Sequence, residues 1–267
     1  MNSYRTHSLF HYTKRLDNII SILASGKLIP NYCSEDLSTK ANPNYIIGIP
    51  QICFCDIPVS MSDSFVKNYG RYAIGFKKEW GIKNGCNPIQ YVNKESIIDG
   101  IIFYHSMWEK FKKTWTKNPS DIGEILSQSW MDCDSHRARN YMFGFIKKYI
   151  SEWQGEPYCN YEENEWRYII EEGLNEIWWM WERGEYDQWR GDKRKKKPDP
   201  SEDMKLLGLK FNFEDINHIV LYEENKIPIF IKKLQKAIDK RLLIVDNVQQ
   251  SLLLSKITSF ERIKNDY

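Results

Sequence analysis

The sequence lacks the features that mark membrane, secreted and zinc-binding proteins. No apolar run among its 267 residues approaches the roughly 18–20 residues that span a bilayer. The polar segment 1–7 has no apolar centre of the kind found in signal peptides. The six cysteines include no C-x-x-C pair, and without a secretory signal we expect them to be reduced thiols. These absences predict a cytoplasmic protein with no metal site and no membrane contact.

Two common catalytic signatures are missing as well. The chain has no glycine-rich phosphate loop of either common type and no H-E-x-x-H motif. Its net charge of +2 is too small to require a polyanionic partner. Basic residues are nevertheless clustered in the run Lys193–Lys197, just after an aromatic stretch. That pairing of charge and aromatics suits single-stranded nucleic acid, although a solvated loop is the commoner outcome.

The material that is present predicts a globular fold. Hydrophobic residues make up 42% of the chain and aromatic residues 14%, enough for a sizeable core in one domain spanning residues 1–267. Hydrophobic periodicity and turn signals predict a succession of strands and helices. In order, these are strand 8–13, a helix from an Asp17 cap to Gly26, a loop at 31–45, strands 52–55, 69–76, 89–92 and 165–170, strands 206–213 and 218–222, and a helix at 227–243.

Two stretches interrupt that succession. Apolar residues at three- and four-residue spacing predict a helical insertion over about 96–153. A break in composition at about 190–203, where the basic run Lys193–Lys197 is followed by two prolines, predicts a charged loop rather than a domain boundary, because strand-like sequence resumes after it.

Two polar stretches are candidates for one site. His11 and Thr13 lie at the end of a strand that runs straight into a helix, and Glu163 and Glu165 flank Asn164 at the start of a later strand. Taken alone, His11 is more often a hydrogen-bonded core histidine, and the glutamates are more often a solvated edge. Glutamates at i and i+2 of an extended segment point the same way, so a shared pocket would raise one pKa and divide acid and base roles.

Together the two stretches resemble the pocket of an ADP-ribosyltransferase. In that chemistry the bond between nicotinamide and ribose of NAD breaks through an oxocarbenium-like centre, which a neighbouring carboxylate stabilises. Aromatic faces suit the cationic nicotinamide ring. A second carboxylate can orient or deprotonate the attacking group.

Longer blocks of sequence resemble the AbiGi family, abortive-infection proteins of bacterial phage defence that are often labelled antitoxins. The likeness runs over nearly the whole chain. It is carried by Phe10-His11-Tyr12-Thr13, Cys53-Phe54-Cys55-Asp56-Ile57-Pro58, Tyr69-Gly70 with Tyr72-Ala73-Ile74-Gly75-Phe76, Glu79-Trp80-Gly81, Glu163-Asn164-Glu165-Trp166-Arg167-Tyr168 and Ser255-Lys256-Ile257-Thr258-Ser259-Phe260-Glu261.

The strand blocks alone are more distantly similar to DarT-like and diphtheria-toxin-like ADP-ribosyltransferases. This resemblance implies an α+β fold with a split, mostly antiparallel sheet and a helical insertion, and NAD as substrate. It implies Glu165 as the catalytic glutamate and Glu163 as the group that engages the acceptor. The implied NAD-binding residues are His11 on the ribose hydroxyls with Tyr12 and Thr13 beside it, and either Tyr69 or Tyr72 stacked on nicotinamide.

The resulting hypothesis is an NAD-dependent ADP-ribosyltransferase toxin of a phage-defence or toxin–antitoxin system, modifying DNA or RNA and paired with a cognate protein. The alternative is a non-catalytic antitoxin that binds a partner toxin through the tryptophan-rich stretch 178–189. A nuclease or other RNA-processing enzyme has only the basic run in its favour.

Overall fold

The computed structural model describes residues 6–38, 45–62, 66, 68–94, 96, 141–153, 155–170 and 202–266. The tryptophan-rich stretch, most of the expected helical insertion and nearly all of the expected charged loop lie outside these ranges. No helix in the described ranges is long and apolar enough to cross a membrane.

The described elements alternate between strands and helices along the chain. The strands are β1 (Ser8–Thr13), β2 (Lys27–Leu28), β3 (Asn31–Asp36), β4 (Ile46–Cys55), β5 (Tyr72–Lys77), β6 (Asn87–Pro88), β7 (Gln90–Val92), β8 (Ile146–Lys148), β9 (Ile150–Trp153), β10 (Glu156–Cys159), β11 (Glu165–Ile169), β12 (Leu209–Lys210), β13 (Ile216–Leu221) and β14 (Ile257–Ser259). The helices are α1 (Leu16–Ser25), α2 (Lys78–Lys83), α3 (Glu202–Leu206), α4 (Lys226–Asp239), α5 (Asn247–Ser255) and α6 (Phe260–Asp266).

One sheet organises the described part of the chain. Its strands lie in the order β14-β13-β5-β1-β4-β11-β6, and β3 also pairs with β4. Every neighbouring pair is antiparallel except β13 with β14. The mixed architecture of helices around a mostly antiparallel sheet confirms that part of the predicted fold class.

The sheet opens between its two central strands. β1 pairs with β5 at six successive positions, but it pairs with β4 only where Phe10 lies opposite Cys55. On the far side of β4, pairing with β11 again extends over five positions. Two well-paired halves are therefore joined at one residue pair, and the opening beside that pair is where the polar groups described below converge.

The main core covers one face of this sheet. Helix α1 buries Leu16, Ile19 and Leu23 against it, one apolar stripe at helical spacing. Each such side chain, when fully buried, contributes about 1.5–3 kcal/mol to stability. Gly26 ends the helix in the left-handed conformation, with φ 61°, and its N–H donates to the Ile22 carbonyl.

The start of α1 differs from the prediction. The residue that precedes the helix is Arg15, with extended backbone angles, and Asp17 lies inside the first turn. There its carboxylate is still favourable, because the N-terminal end of a helix carries partial positive charge. Asp17 also accepts a hydrogen bond from Lys233 on α4, which ties the two helices together at the surface.

Three further segments depart from expectation. Residues 206–213, predicted as one strand, begin at the end of helix α3, and only Leu209 and Lys210 form a strand, β12. Residues 31–36, predicted as loop, form β3 against β4. β3 is an edge strand, and edge strands often carry polar side chains. Its polar sequence therefore shows no alternation of apolar and polar residues from which a strand could be predicted. Residues 146–153, predicted as part of a helical insertion, form β8 and β9. The four-residue spacing of Tyr141 and Phe145 ends as the chain turns into β8, where pairing with β7 decides the conformation.

Candidate functional site

A pocket of about 460 Å³ lies on the face of the sheet opposite the main core. Its lining comes from β1, β3 and β4, from Asn68 and Tyr69, and from the segment 147–165. We call it the carboxylate pocket. Of the residues predicted to form one site, the lining includes His11, Tyr12, Tyr69, Glu163 and Glu165.

Two of the predicted residues lie elsewhere. Thr13 is buried, and its hydroxyl accepts a hydrogen bond of 2.6 Å from the Asn18 side-chain amide at the start of α1. Tyr72 lies directly across from Thr13 on β5 and packs against the main core. Of the two tyrosines considered for nicotinamide stacking, the fold brings Tyr69 to the pocket.

Strand register explains which side chains face the pocket. Phe10, Cys55 and Glu165 form one row across three neighbouring strands, and cross-strand partners project from the same face of a sheet. Successive side chains of β11 project from opposite faces of the sheet. Glu165 and Arg167 lie on the pocket side, whereas Trp166 packs against the main core.

His11 is one position away from this row and lies at the opening between β1 and β4. Its ring meets Phe54 edge-on, with centroids 5.9 Å apart, and Nδ1 lies 3.0 Å from the Cys53 carbonyl oxygen. Because a carbonyl oxygen only accepts, Nδ1 carries the hydrogen, and Nε2 is the acceptor in the neutral ring. Burial lowers the pKa of His11, although the bond to Cys53 opposes that shift.

Glu165 is held by two cations. Arg167 donates from Nε to Oε1 at 2.7 Å and from Nη2 to Oε2 at 3.2 Å, and Lys147 Nζ donates to Oε2 at 2.9 Å. The residue is only 5% exposed. Burial by itself would raise its pKa, but the charges of Arg167 and Lys147 outweigh that cost and hold the pKa of Glu165 well below its ordinary range.

Glu163 has the opposite electrostatic character. It ends a short 3-10 turn at 160–163, and the left-handed Asn164 then leads into β11. Its carboxylate accepts hydrogen bonds of 2.5 Å from the Tyr69 hydroxyl and from Lys147 Nζ. Burial raises the pKa of Glu163, and the charge of Glu165 adds to this against the opposing effect of Lys147.

The two glutamates thus have pKa values shifted in opposite directions at neighbouring positions. The prediction that both project from one extended segment is wrong, because Glu163 lies in a 3-10 turn and Asn164 has a left-handed conformation, but both side chains line the pocket. Both reach Lys147, which bridges them. Such a pair provides one carboxylate that stays ionised and one that holds a proton more readily, which is the division of labour used in acid–base chemistry.

Arg167 extends the network beyond the glutamate pair. Its side chain is fully buried, and Nη2 donates to Glu35 on β3 at 2.7 Å. Nη1 donates to the Gly144 carbonyl at 2.6 Å. One guanidinium therefore fixes β3, β11 and the start of segment 144–148 relative to one another.

Sequence reasoning missed Glu35, Lys147 and Arg167 as members of this site. For Arg167 the sequence did contain a signal. Arg167 lies two residues after Glu165 in a predicted strand, and residues at i and i+2 of a strand project from the same face. Glu35 lay in a predicted loop and Lys147 in a predicted helix. No local pattern distinguishes those two residues from ordinary surface charges.

The pocket also contains thiols. Cys33, Cys53 and Cys55 line it, and none of the three is in a disulfide. Burial raises the pKa of the Cys55 thiol well above its ordinary value. In the described ranges, His, Cys, Asp and Glu side chains form no group of three that could hold a metal ion.

Comparison with known proteins places the chain in a family. The family described as "Putative abortive phage resistance protein AbiGi, antitoxin" matches residues 26–222. A relative from Lactococcus lactis subsp. cremoris, named "Abortive phage resistance protein AbiGi", is 28% identical over 263 residues, covering 90% of this chain and 99% of the relative. No solved structure gives a significant match. The matched region contains both glutamates, Lys147 and Arg167, and the chain belongs to the AbiGi family of putative abortive phage resistance proteins.

Proposed function

We propose that this protein acts in phage defence as an antitoxin, restraining a partner toxin by binding it. The family description, which names an antitoxin, supports this role over the catalytic one. The structural observation behind it is the state of Glu165. Its two oxygens accept three hydrogen bonds from Arg167 and Lys147, and the residue is 5% exposed.

The chemical consequence follows from charge. A carboxylate stabilises an oxocarbenium-like centre through its net negative field at close range. At Glu165 that field is offset by two cations within 3.2 Å. Buried ion pairs of this kind fix the relative positions of strands. A binding protein needs such a rigid scaffold, and the scaffold role does not require Glu165 to take part in catalysis.

Growth rescue tests the antitoxin role. The candidate toxin of the same defence system is expressed alone, together with this chain, and together with the Glu165→Gln variant. Neutralisation by binding predicts arrest with the toxin alone, growth with either form of the chain, and a complex that elutes as one species in size-exclusion chromatography. Arrest caused by the wild-type chain alone, relieved by Glu165→Gln, would contradict it.

A second candidate function is NAD-dependent ADP-ribosyl transfer to nucleic acid, with the fold of that enzyme class. The observation in its favour is that His11, Tyr69, Glu163 and Glu165 all line one pocket at the opening of the sheet. In this role Nε2 of His11 would accept a hydrogen bond from a ribose hydroxyl, and Tyr69 would lie against nicotinamide. Glu165 would face the ribose, and Glu163, whose pKa is raised, would engage the acceptor.

Labelled NAD incubated with separate DNA, RNA and protein pools tests this second function. Transfer that is lost in Glu165→Gln and kept in Glu156→Gln, an exposed residue on β10 outside the pocket, would support it. Glutamine suits the test better than alanine, because its amide oxygen can still accept from Arg167 and preserve the fold. Absence of transfer by folded wild-type protein to any pool would exclude it.

A further inference from the structure

The wall of the carboxylate pocket contains an acceptor without a donor. Gln51 on β4 is 2% exposed and lines the pocket. Its Nε2 donates to Glu35 Oε1 at 3.3 Å and to Cys53 Sγ at 3.4 Å. Its Oε1 has no hydrogen-bond partner in the described part of the chain.

The orientation of this amide is fixed by its neighbour. Rotating the group by half a turn would place Oε1 against the Glu35 carboxylate, two acceptors facing each other. The oxygen is therefore the atom left over. Buried polar groups in folded proteins nearly always have a partner, so an unpaired acceptor in a pocket wall indicates a donor supplied from outside.

The charge of the pocket indicates whether the donor to Gln51 is neutral or positively charged. Its lining carries five carboxylates against two ammonium groups: Glu35, Asp36, Glu152, Glu163 and Glu165 against Lys147 and Lys148. Arg167 adds a third positive charge behind the wall. With all groups ionised, these residues carry two more negative than positive charges; Glu35, Glu163 and Glu165 are buried, whereas Asp36 and Glu152 are exposed. A neutral donor such as water would satisfy Gln51 and leave that excess in place.

We propose that the carboxylate pocket binds a guanidinium or ammonium group that donates to Gln51 Oε1. The charge of the group offsets the surplus of carboxylates, and charge-assisted hydrogen bonds of this type are the stronger class. A volume of about 460 Å³ is within the range of small-molecule sites and accommodates an arginine-sized group. The group can belong to an arginine or lysine side chain of a partner protein or to a free small cation. Its binding does not depend on whether the chain neutralises a toxin or transfers ADP-ribose.

Lys147 is the internal competitor for this site. Its ammonium group already bridges Glu163 and Glu165 within the same lining. Removing that charge leaves the two carboxylates for an external cation. The site therefore predicts opposite effects for two substitutions, weaker binding when the Gln51 acceptor is lost and tighter binding when the Lys147 charge is lost.

Titration calorimetry on the full chain tests the proposal with three probes. Agmatine carries a free guanidinium, N-acetyl-arginine-N-methylamide represents an arginine side chain in a protein, and tetramethylammonium is a cation with no N–H donor. We expect the first, the second or both to bind, and tetramethylammonium to bind more weakly. Binding of the capped arginine identifies a partner side chain as the source, and binding of agmatine alone identifies a free cation.

Variants check that the pocket is responsible. Gln51→Leu should weaken binding by about tenfold or more, the range for a hydrogen bond to a charged group. Gln90→Leu, at an exposed position of β7 outside the lining, should leave affinity unchanged. Lys147→Met should bind the same probe more tightly, and the probe should raise its melting temperature more than that of the wild type.

Three results would overturn the proposal. The first is that folded wild-type protein binds neither guanidinium probe at millimolar concentration. The second is that tetramethylammonium binds as well as agmatine, which would remove the need for an N–H donor. The third is that Lys147→Met, shown to be folded by circular dichroism, gains no affinity. The last measurement keeps the test decisive even if Gln51→Leu does not fold.

Discussion

Arg167 donates two hydrogen bonds to Glu165, the residue two positions before it on the same strand, with Nε 2.7 Å from Oε1 and Nη2 3.2 Å from Oε2. The two side chains share a face because alternate residues of a strand project the same way. This pairing makes the candidate catalytic carboxylate part of a buried anchor. The same guanidinium donates to Glu35, so among the described residues its loss would leave Glu165 with Lys147 alone and Glu35 with the Gln51 amide alone.

Replacing Arg167 with leucine should destabilise the fold strongly. The substitution leaves Glu165 and Glu35 buried without the guanidinium, and breaking a buried ion pair from one side costs about 3–5 kcal/mol. Urea unfolding followed by circular dichroism measures the change in the free energy of unfolding.

The matched control is Arg262→Leu. Arg262 pairs with Glu224 at the surface, where both side chains are about half exposed, and exposed pairs contribute roughly 0–1 kcal/mol. Equal effects at the two arginines would show that the buried network is not what holds β3 and β11 together.

Glu165 should make the fold sensitive to acid. Its folded-state pKa is lowered from an ordinary value of 4.5, so its contribution to stability is complete above that value and is lost as the pH falls further. Glu165→Gln should therefore be less stable than wild type at neutral pH, and the difference should shrink below pH 4.5. Urea unfolding at a series of pH values measures this, and a difference that grows in acid would contradict it.

Glu163 should behave in the opposite way. Its folded-state pKa is raised above 4.5, so its contribution is most favourable in acid and is lost as the pH rises through the raised value. Relative to wild type, Glu163→Gln should gain stability as the pH increases from 4.5 towards neutrality. A gain that is the same at every pH would show that Glu163 does not titrate in this window.

Gly70 should tolerate no side chain. Its φ is 133°, and a Cβ there would lie 2.2 Å from the Thr13 carbonyl oxygen, which belongs to β1 and cannot give way without moving the central strand. Gly70→Ala should cost more than about 3 kcal/mol, since strained backbone and a steric clash add. Gly85→Ala is the control: its φ is 81° with nothing within 4 Å of the added atom, so only the backbone cost of about 1–2 kcal/mol applies. Thermal unfolding of both variants compares them.

The sequence pattern alone predicted those elements whose buried residues recur at strand or helix spacing. The strand 8–13, helix α1 with its Gly26 end and helix α4 follow from alternation or from helical spacing that the structure retains. Strands that form only because a distant segment pairs with them could not be predicted from their own sequence. The edge strand β3 is polar, and β8 follows a helical turn, so neither carries a signal of its own.

By itself the sequence determined the AbiGi resemblance, the α+β character and the identity of Glu163 and Glu165 as candidates for one site. Tertiary structure alone decided their chemistry. Lys147 and Glu35 come from distant segments, and they meet Arg167 and the glutamates only after β3, β8 and β11 are assembled. The physical reason is that a pKa or an ion pair depends on distance and burial, which strand register and the opening of the sheet establish and which spacing along the chain does not encode.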